Sequence, residues 1–444
     1  MSRRRSLRTE ATLLDALQRE AFSYFLHETN PANGLVLDKT AADWPASIAA
    51  VGLALSCYPV GVERGLIARD GAIQITLTTL RFFARSAQGP EPDATGYHGF
   101  YYHFLDMRSG RRAMDCEVST VDTALLLAGA LTAAEYFTRE TAEEREIREL
   151  ADALYRRVDW QWAQNGEAAV AQGWQPETGF IGYRYQGYDE ALILYLLGLG
   201  APERPLSVES YGAWASSYAW KRIYDIEFLC AGPLFTHQLS HGWIDFRGIR
   251  DAEMRDKGID YFENSRRATW VQQRYAMDNP LGLRGYGEHA WGITASDGPG
   301  DATLRIDGVD RRFYDYVARG VPSGPDDGTL APWAVVASLP FAPEIVLPTI
   351  ESYGRRKLRG EHPYGFKSTF NLTFPGGASG PRGWVSPYHF GLNQGPIMLM
   401  IENYRSGLIW ELMRGCPYLI AGLKRAGFTG GWLEDSAASG ASTA

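Results

Sequence analysis

About a dozen stretches of this chain carry apolar residues at helical spacing. They follow one another with hardly a strand between them, and that succession limits the fold more than any other feature. Residues 11–25 set Leu13, Leu14, Leu17, Phe22 and Phe25 on one face. Residues 119–137 are rich in Ala and Leu, which lose little on entering a helix. Residues 143–162 align Leu150, Ala153, Leu154, Val158 and Trp162. The same reading predicts helices over 47–55, 72–83, 190–199, 207–228, 261–277, 331–339, 342–353, 396–414 and 417–426. Between them lie turn-forming segments such as Asp297-Gly298-Pro299-Gly300-Asp301 and 322–328. Strand signals are local, at 303–306 and 366–374.

No short repeat runs through the chain, which argues against a solenoid of fixed period. An all-α toroid of helical hairpins, with a site built from loops at one end, is the arrangement expected. The chain has 444 residues, a length that allows more than one domain. No linker-like segment interrupts it, so a single domain over 10–433 is expected, with loose tails at 1–9 and 434–444.

Composition narrows the function. The formal net charge is −8, which argues against a nucleic-acid partner, since that role needs a basic surface. The 13 Trp and 24 Tyr suit a neutral polymer such as a glucan, because sugar C–H faces stack on aromatic rings. Four scattered cysteines, Cys57, Cys116, Cys230 and Cys416, match no metal or redox spacing and are expected as buried thiols. No apolar run is long enough to span a membrane. Met1-Ser2-Arg3-Arg4-Arg5 is basic, but Glu10, Asp15, Arg19 and Glu20 break what would be a signal's apolar core. The expectation is a cytoplasmic protein as written, or a periplasmic one if a leader was removed, and a monomer or weak homo-oligomer.

Several clusters could carry chemistry. In Gly187-Tyr188-Asp189-Glu190, two acids stand at the mouth of an apolar helix, just after the aromatic and basic stretch that holds Tyr183 and Arg184. One acid suffices to cap a helix; the second, Glu190, is free for catalysis. In 115–122, Ser119 and Asp122 have capping-box spacing, while Asp115 and Glu117 precede the cap and have no capping duty. His237 and His241 are one helical turn apart but lack the intervening Glu of zinc proteases, so no metal is expected. With Gln238 and Asp245 they could instead hydrogen-bond sugar hydroxyls. Residues 285–299 interleave Tyr286, Glu288, Trp291 and Asp297 with glycines, as a subsite wall would, or as an ordered loop would. Asn393-Gln394 opens an apolar helix in which Glu402 is expected to pair with Arg405. The chain has no GxSxG nucleophile elbow and no phosphate-binding P-loop, and no cofactor is expected.

Seven segments together resemble one family: EVSTVDTALLLAGAL, GYDEALILYLLGLG, GPLFTHQLSHGWIDFRGIRD, GIDYFENSRRAT, GYGEHAWGITASDGPGD, GTLAPWAVVASLPFAPEI and NQGPIMLMIENYRSGLIW. They look like the bacterial glycoamylase-like family, glycoside hydrolase family 144, whose characterised members are β-1,2-glucanases. The resemblance spans residues 11–433. It implies an (α/α)6 barrel and an inverting two-carboxylate mechanism, with Glu190 at the acid of the family's GYxEA segment and Glu117 and Asp122 at the acids of ExSTxDTA. Asp245, Glu288 and Asp297 match further recurring polar positions, expected to bind sugar. One departure stands out: the family commonly carries Asp-Gln-Gly-Pro where this chain has Asn393-Gln394-Gly395-Pro396.

The expected function is hydrolysis of β-1,2-glucan, endo-acting or sophorose-releasing, with Glu190 as general acid and Glu117 or Asp122 as base or water-orienting group. The alternatives are a transglycosylase or a glycosidase for another linkage on the same barrel, and a glycan-binding protein left inactive by Asn393.

Overall fold

The structure is a computed structural model and describes residues 2–376 and 383–434. Its α-helices are α1 (Ser2–His27), α2 (Ile48–Glu63), α3 (Arg69–Arg85), α4 (Thr120–Tyr136), α5 (Ala142–Arg157), α6 (Trp160–Gln164), α7 (Leu192–Gly200), α8 (Ser210–Ala215), α9 (Ala252–Asp256), α10 (Tyr261–Asp278), α11 (Pro332–Ala337), α12 (Pro343–Gly354), α13 (Gly391–Arg405), α14 (Leu408–Gly415) and α15 (Pro417–Arg425).

Five of these are buried on nearly every side: α2, α4, α7, α11 and α13. A helix without a polar face has to lie inside. In the packing, α4 contacts α2 and α7, and α13 contacts α2 and α11. The gap between α7 and α11 is filled by two 3₁₀ turns, Leu234–His237 and Leu239–Gly242. Ser240 Oγ accepts from Ile193 N of α7 at 3.2 Å, and Gln238 Nε2 donates to Ala334 O and Ser338 Oγ beside α11 at 2.6 and 2.7 Å. Six inner elements therefore close into a ring. Amphipathic helices pack outside it, among them α1 on α13, α5 on α4, α15 on α7 and α12 on α11. This is the (α/α)6 barrel that the resemblance implied.

The ring is tightly drawn at α2 and α4. A Cβ on Gly52 would lie 2.2 Å from Leu125 O, and one on Gly129 would lie 1.9 Å from Gly52 O. The two backbones touch where only glycine fits.

Small antiparallel sheets fasten the loops at one end. One joins Gly96–Tyr97, Phe100–Tyr102, Val118–Ser119, Gly173–Gln175 and Gly179–Phe180 in that order and feeds directly into α4. Another pairs Ala295↔Ala318 and Ser296↔Val317.

The helix expected over 207–228 is mostly absent. After α8 the chain forms a hairpin, Trp220–Ile223 against Ile226–Leu229, turned by Tyr224 and Asp225 at φ 51° and 62°. Aromatic and β-branched residues around a two-residue turn with positive φ favour strands over helix. The helix expected over 396–414 starts earlier, at Gly391, and breaks at Gly407, whose φ is 76°. The one over 143–162 divides at Val158 into α5 and α6. The strand signal at 303–306 is borne out in a hairpin of Ala302–Ile306 with Val309–Phe313, whereas 366–374 yields only Phe370–Asn371. Residues 2–9, expected as a tail, belong to α1; residues 435–444 lie outside the described residues.

Glu402 does not pair with Arg405. It takes two bonds of 2.7 Å from Arg64 and one each from Gln18 and Ser406, while Arg405 pairs with Asp15. All four cysteines are free thiols. No helix among the described residues is long and apolar enough to cross a membrane.

Candidate active site

A cavity of about 260 Å³ opens at the end of the barrel where the inner elements begin. Its wall includes Asp122 in the first turn of α4, Trp333 at the start of α11, Asn393 in the first turn of α13, Gln238 from the 3₁₀ segment and Glu190 just ahead of α7. The sixth inner element, α2, begins beside it: Ser47 pairs with Phe104, and Ile48 N donates to His103 O.

The acids at this end differ in their partners. Asp189 holds the turn into α7, accepting from Ala191 N at 3.0 Å and from Trp214 Nε1 at 2.8 Å, although its side chain does not cap the helix. Burial, helped by the Glu190 charge, pushes its pKa up to about 7. Glu190 faces the cavity and receives no hydrogen bond from any other described residue. Burial first, and the Asp122 charge after it, raise the Glu190 pKa above the ordinary range for a glutamate.

Across the cavity, His103 stands between two carboxylates. Its Nδ1 is 3.0 Å from Glu117 Oε1 and its Nε2 is 3.7 Å from Asp122 Oδ2. Against the cost of its burial, Asp122 and Glu117 raise His103 to about 9. Glu117 is held below the usual range: burial opposes this, but the His103 bond and charge outweigh it. Ser119 both caps α4, its Oγ accepting from Asp122 N at 3.2 Å, and donates to Asp122 Oδ2 at 2.6 Å. His103, Glu117 and Asp122 are the one trio among the described residues whose donor atoms gather within 4.8 Å, close enough to hold a cation. The imidazolium already supplies a positive charge between the two acids.

Asp297 forms the third group. Its carboxylate accepts from the hydroxyls of Ser368 (2.7 Å), Thr369 (3.0 Å) and Ser386. Asn393 Nδ2 donates to Ser368 Oγ at 2.9 Å, so amide, hydroxyl and carboxylate form a directed chain. Two buried polar atoms of the wall have no partner among the described residues: Gln238 Oε1, an acceptor, and Trp333 Nε1, a donor. Buried polar atoms are normally paired, so an unpaired donor and acceptor on one cavity wall suit a polyhydroxylated ligand.

The structure thus brings together Glu190, Glu117, Asp122, Gln238, Asp297 and Asn393. The other expected site residues stand elsewhere, each for a local reason. His237 is buried against Ala231 and Phe228, and burial lowers its pKa to about 4. Asp245 is fully buried and paired with Arg247 and Arg414. Trp291 is buried in the core and donates to Thr349 Oγ1. Tyr286 donates to Asp326, and Arg184 donates to the Gln164 and Ala169 carbonyls. Asp115 is in an exposed turn at φ 46°, Glu288 is exposed, and Tyr183 is 75% exposed outside the cavity. Gln394 is buried behind Asn393.

Sequence reasoning missed His103, Tyr316, Trp333 and Ser368 on the wall, and Asp38, which accepts from Trp44 Nε1 and interacts with His103 and Asp122. Only Trp333 carried a signal, lying inside a segment that supports the family resemblance.

The Glycoamylase family model, described as "Putative glucoamylase", matches residues 182–417. A curated relative, the exo β-1,2-glucooligosaccharide sophorohydrolase (non-reducing end) of Parabacteroides distasonis, is 30% identical over 94% of this chain, and the chain spans 58% of that relative's length. The structure of the endo-β-1,2-glucanase of Chitinophaga pinensis, in complex with sophorotriose and glucose, has 25% identity and a TM-score of 0.81, covering 95% of this chain and 99% of that one. A provisionally named glucoamylase of Bacteroides uniformis has 30% identity and a TM-score of 0.83, covering 95% and 98%.

Proposed function

The chain belongs to the Glycoamylase family, and on that premise we propose that it hydrolyses β-1,2-linked glucan by general acid–base catalysis with inversion. One observation carries the reading: Glu190, unpaired and raised by burial, shares a cavity wall with Glu117, which His103 holds ionised. A carboxyl with a raised pKa and a carboxylate held ionised, facing one cavity, are what glycoside hydrolysis requires. In this mechanism the Glu190 carboxyl gives its proton to the departing glycosidic oxygen as the bond from C1 breaks. Water attacks C1 from the opposite face and loses a proton to Glu117 or Asp122. Gln238 Oε1 and Trp333 Nε1 bind sugar hydroxyls, and Asp297, held by three hydroxyl donors, organises the wall.

The linkage is supported by two β-1,2-glucan-degrading relatives, one of them holding sophorotriose and glucose. The test is incubation with linear β-1,2-glucan and separation of products over time. Short β-1,2-glucooligosaccharides with inverted anomeric configuration are expected, and Glu190→Gln should abolish them. Retained configuration, or no product, would overturn the proposal. Asn393 favours one second reading, glycan binding without turnover. Tight binding of sophorooligosaccharides by a protein that gains turnover only as Asn393→Asp would support it.

A further inference from the structure

Tyr316 is a large aromatic residue left 60% exposed at the rim of the cavity. Its ring meets no aromatic or cationic partner, and its hydroxyl has no hydrogen-bond partner among the described residues. Exposed tyrosines are common on mobile loops, but this one is held on a fixed backbone. On its C-terminal side, Val317 and Ala318 pair with Ser296 and Ala295, which immediately precede Asp297. On its N-terminal side, the carbonyls of Tyr314 and Asp315 accept from Arg319 Nη2 at 3.0 and 3.2 Å.

Arg319 is itself unusual. It is fully buried, pairs with the equally buried Asp327 at 2.8 Å, and donates from Nη1 to Ser296 O at 2.6 Å. Asp327 Oδ2 in turn accepts from Tyr314 N. A buried ion pair is seldom worth more to stability than well-packed apolar residues of the same volume. Here one guanidinium ties the backbone beside Tyr316 to the backbone beside Asp297. Gly298 is part of the same clamp, since a Cβ there would lie 2.1 Å from Arg319 Nη2.

Tyr316 stands among carboxylates: desolvation at the cavity, with the nearby Asp38, Asp297, Glu190 and Asp122 charges, raises its pKa. The phenol therefore stays protonated and can donate to whichever of those acids is ionised.

We propose that Tyr316 is a substrate-contacting residue that closes one side of the cavity, its ring stacking on a sugar unit held over Glu190 and Asp297, and that the Arg319–Asp327 pair positions it. Rigid presentation of an exposed ring lowers the ordering cost of binding, which is how aromatic platforms gain affinity. This inference rests on the glycoside-hydrolase reading above.

The test measures steady-state kinetics on β-1,2-glucooligosaccharides of defined length for wild type, Tyr316→Ala and Tyr316→Phe, with thermal unfolding of each. Because the ring is 60% exposed and meets no aromatic or cationic partner among the described residues, both variants should unfold within about 2 °C of wild type. Tyr316→Ala is expected to raise KM at least about tenfold with kcat changed less than about threefold, the signature of lost uniform binding. Tyr316→Phe, which keeps the ring, should stay within about threefold of wild type in KM. A Tyr316→Ala KM within twofold of wild type, or a loss confined to kcat, overturns the inference while leaving the hydrolase reading intact. A Phe variant as impaired as the Ala variant overturns the stacking role. Absence of turnover by the wild type defeats the functional reading, and this inference with it.

Discussion

His103 should make stability and activity depend on alkaline pH, and the structure fixes the sign. The ring lies between Glu117 and Asp122, and its pKa is raised from the ordinary 6.5 to about 9. A group whose folded pKa exceeds its unfolded value contributes stability that is fully present below the unfolded pKa and lost as pH rises through the folded one. The window is therefore pH 6.5 to about 9. At 1.36 kcal/mol per pH unit the full shift would correspond to about 3 kcal/mol. The side chain is 32% exposed, so solvent screening reduces this to about 1–2 kcal/mol. Chemical unfolding of wild type and His103→Gln at pH 6 and pH 9.5 measures it. The wild type should be more stable by about 1–2 kcal/mol at pH 6, and most of that gap should vanish at pH 9.5. A gap unchanged between the two pH values would refute the argument, because a neutral glutamine could then do all that the histidine does.

Three further outcomes follow from named contacts. Asn393→Asp puts an acceptor against Ser368 Oγ, whose proton is committed to Asp297; it should cost about 1–3 kcal/mol of stability near neutral pH. Burial and the Asp297 charge raise the new carboxyl's pKa, so the penalty is absent below its unfolded pKa and grows as pH rises; unfolding at pH 4 and pH 7 shows this. Glu402→Ala leaves Arg64 and Gln18 without their buried acceptor and should destabilise by about 3 kcal/mol in urea unfolding. Glu190→Gln should lower kcat by about 10²–10⁴-fold while sophorooligosaccharide binding, followed by calorimetry, changes little.

The barrel was readable in the sequence because its inner helices have no polar face. The runs at 119–137 and 190–199 cannot sit on a surface, and enough such runs in one chain must enclose one another. What the sequence reading mistook was local. Residues 207–228 read as helix, yet Tyr224-Asp225 turns Trp220–Leu229 into a hairpin. The site was readable where an acid lacked a structural duty, as with Glu190 beside Asp189. It was misread where polar residues satisfy one another inside the fold. His237, Asp245 and Trp291 have partners far off in the chain or deep in the core, and no spacing rule shows that. His103 and Tyr316 were missed for the converse reason: each is a single residue in a short strand or connector, brought to the cavity only by pairing with Val118-Ser119 or Ala295-Ser296.

The placement of the acids has a cause in the barrel itself. All six inner elements begin at the cavity end, so their unpaired N–H groups and positive dipole ends converge there. Such an end tolerates many carboxylates at once, and the chain uses that tolerance unevenly. Asp122 has Ser119 and His103, Asp297 has three hydroxyls, Asp189 has Ala191 N and Trp214, and Asp38 has Trp44. Only Glu190 is left without a donor from another residue among these. Burial without a donor raises the Glu190 pKa, and at Asp189 burial outweighs two donors and raises the pKa to about 7. The division of labour between Glu190 and Glu117 therefore depends on burial together with the cation at hand: Glu117 has the His103 bond and charge, and Glu190 has neither. That is why adding a carboxylate at Asn393, in a chain of donors already spoken for, should disturb the site's proton arrangement before it supplies a base.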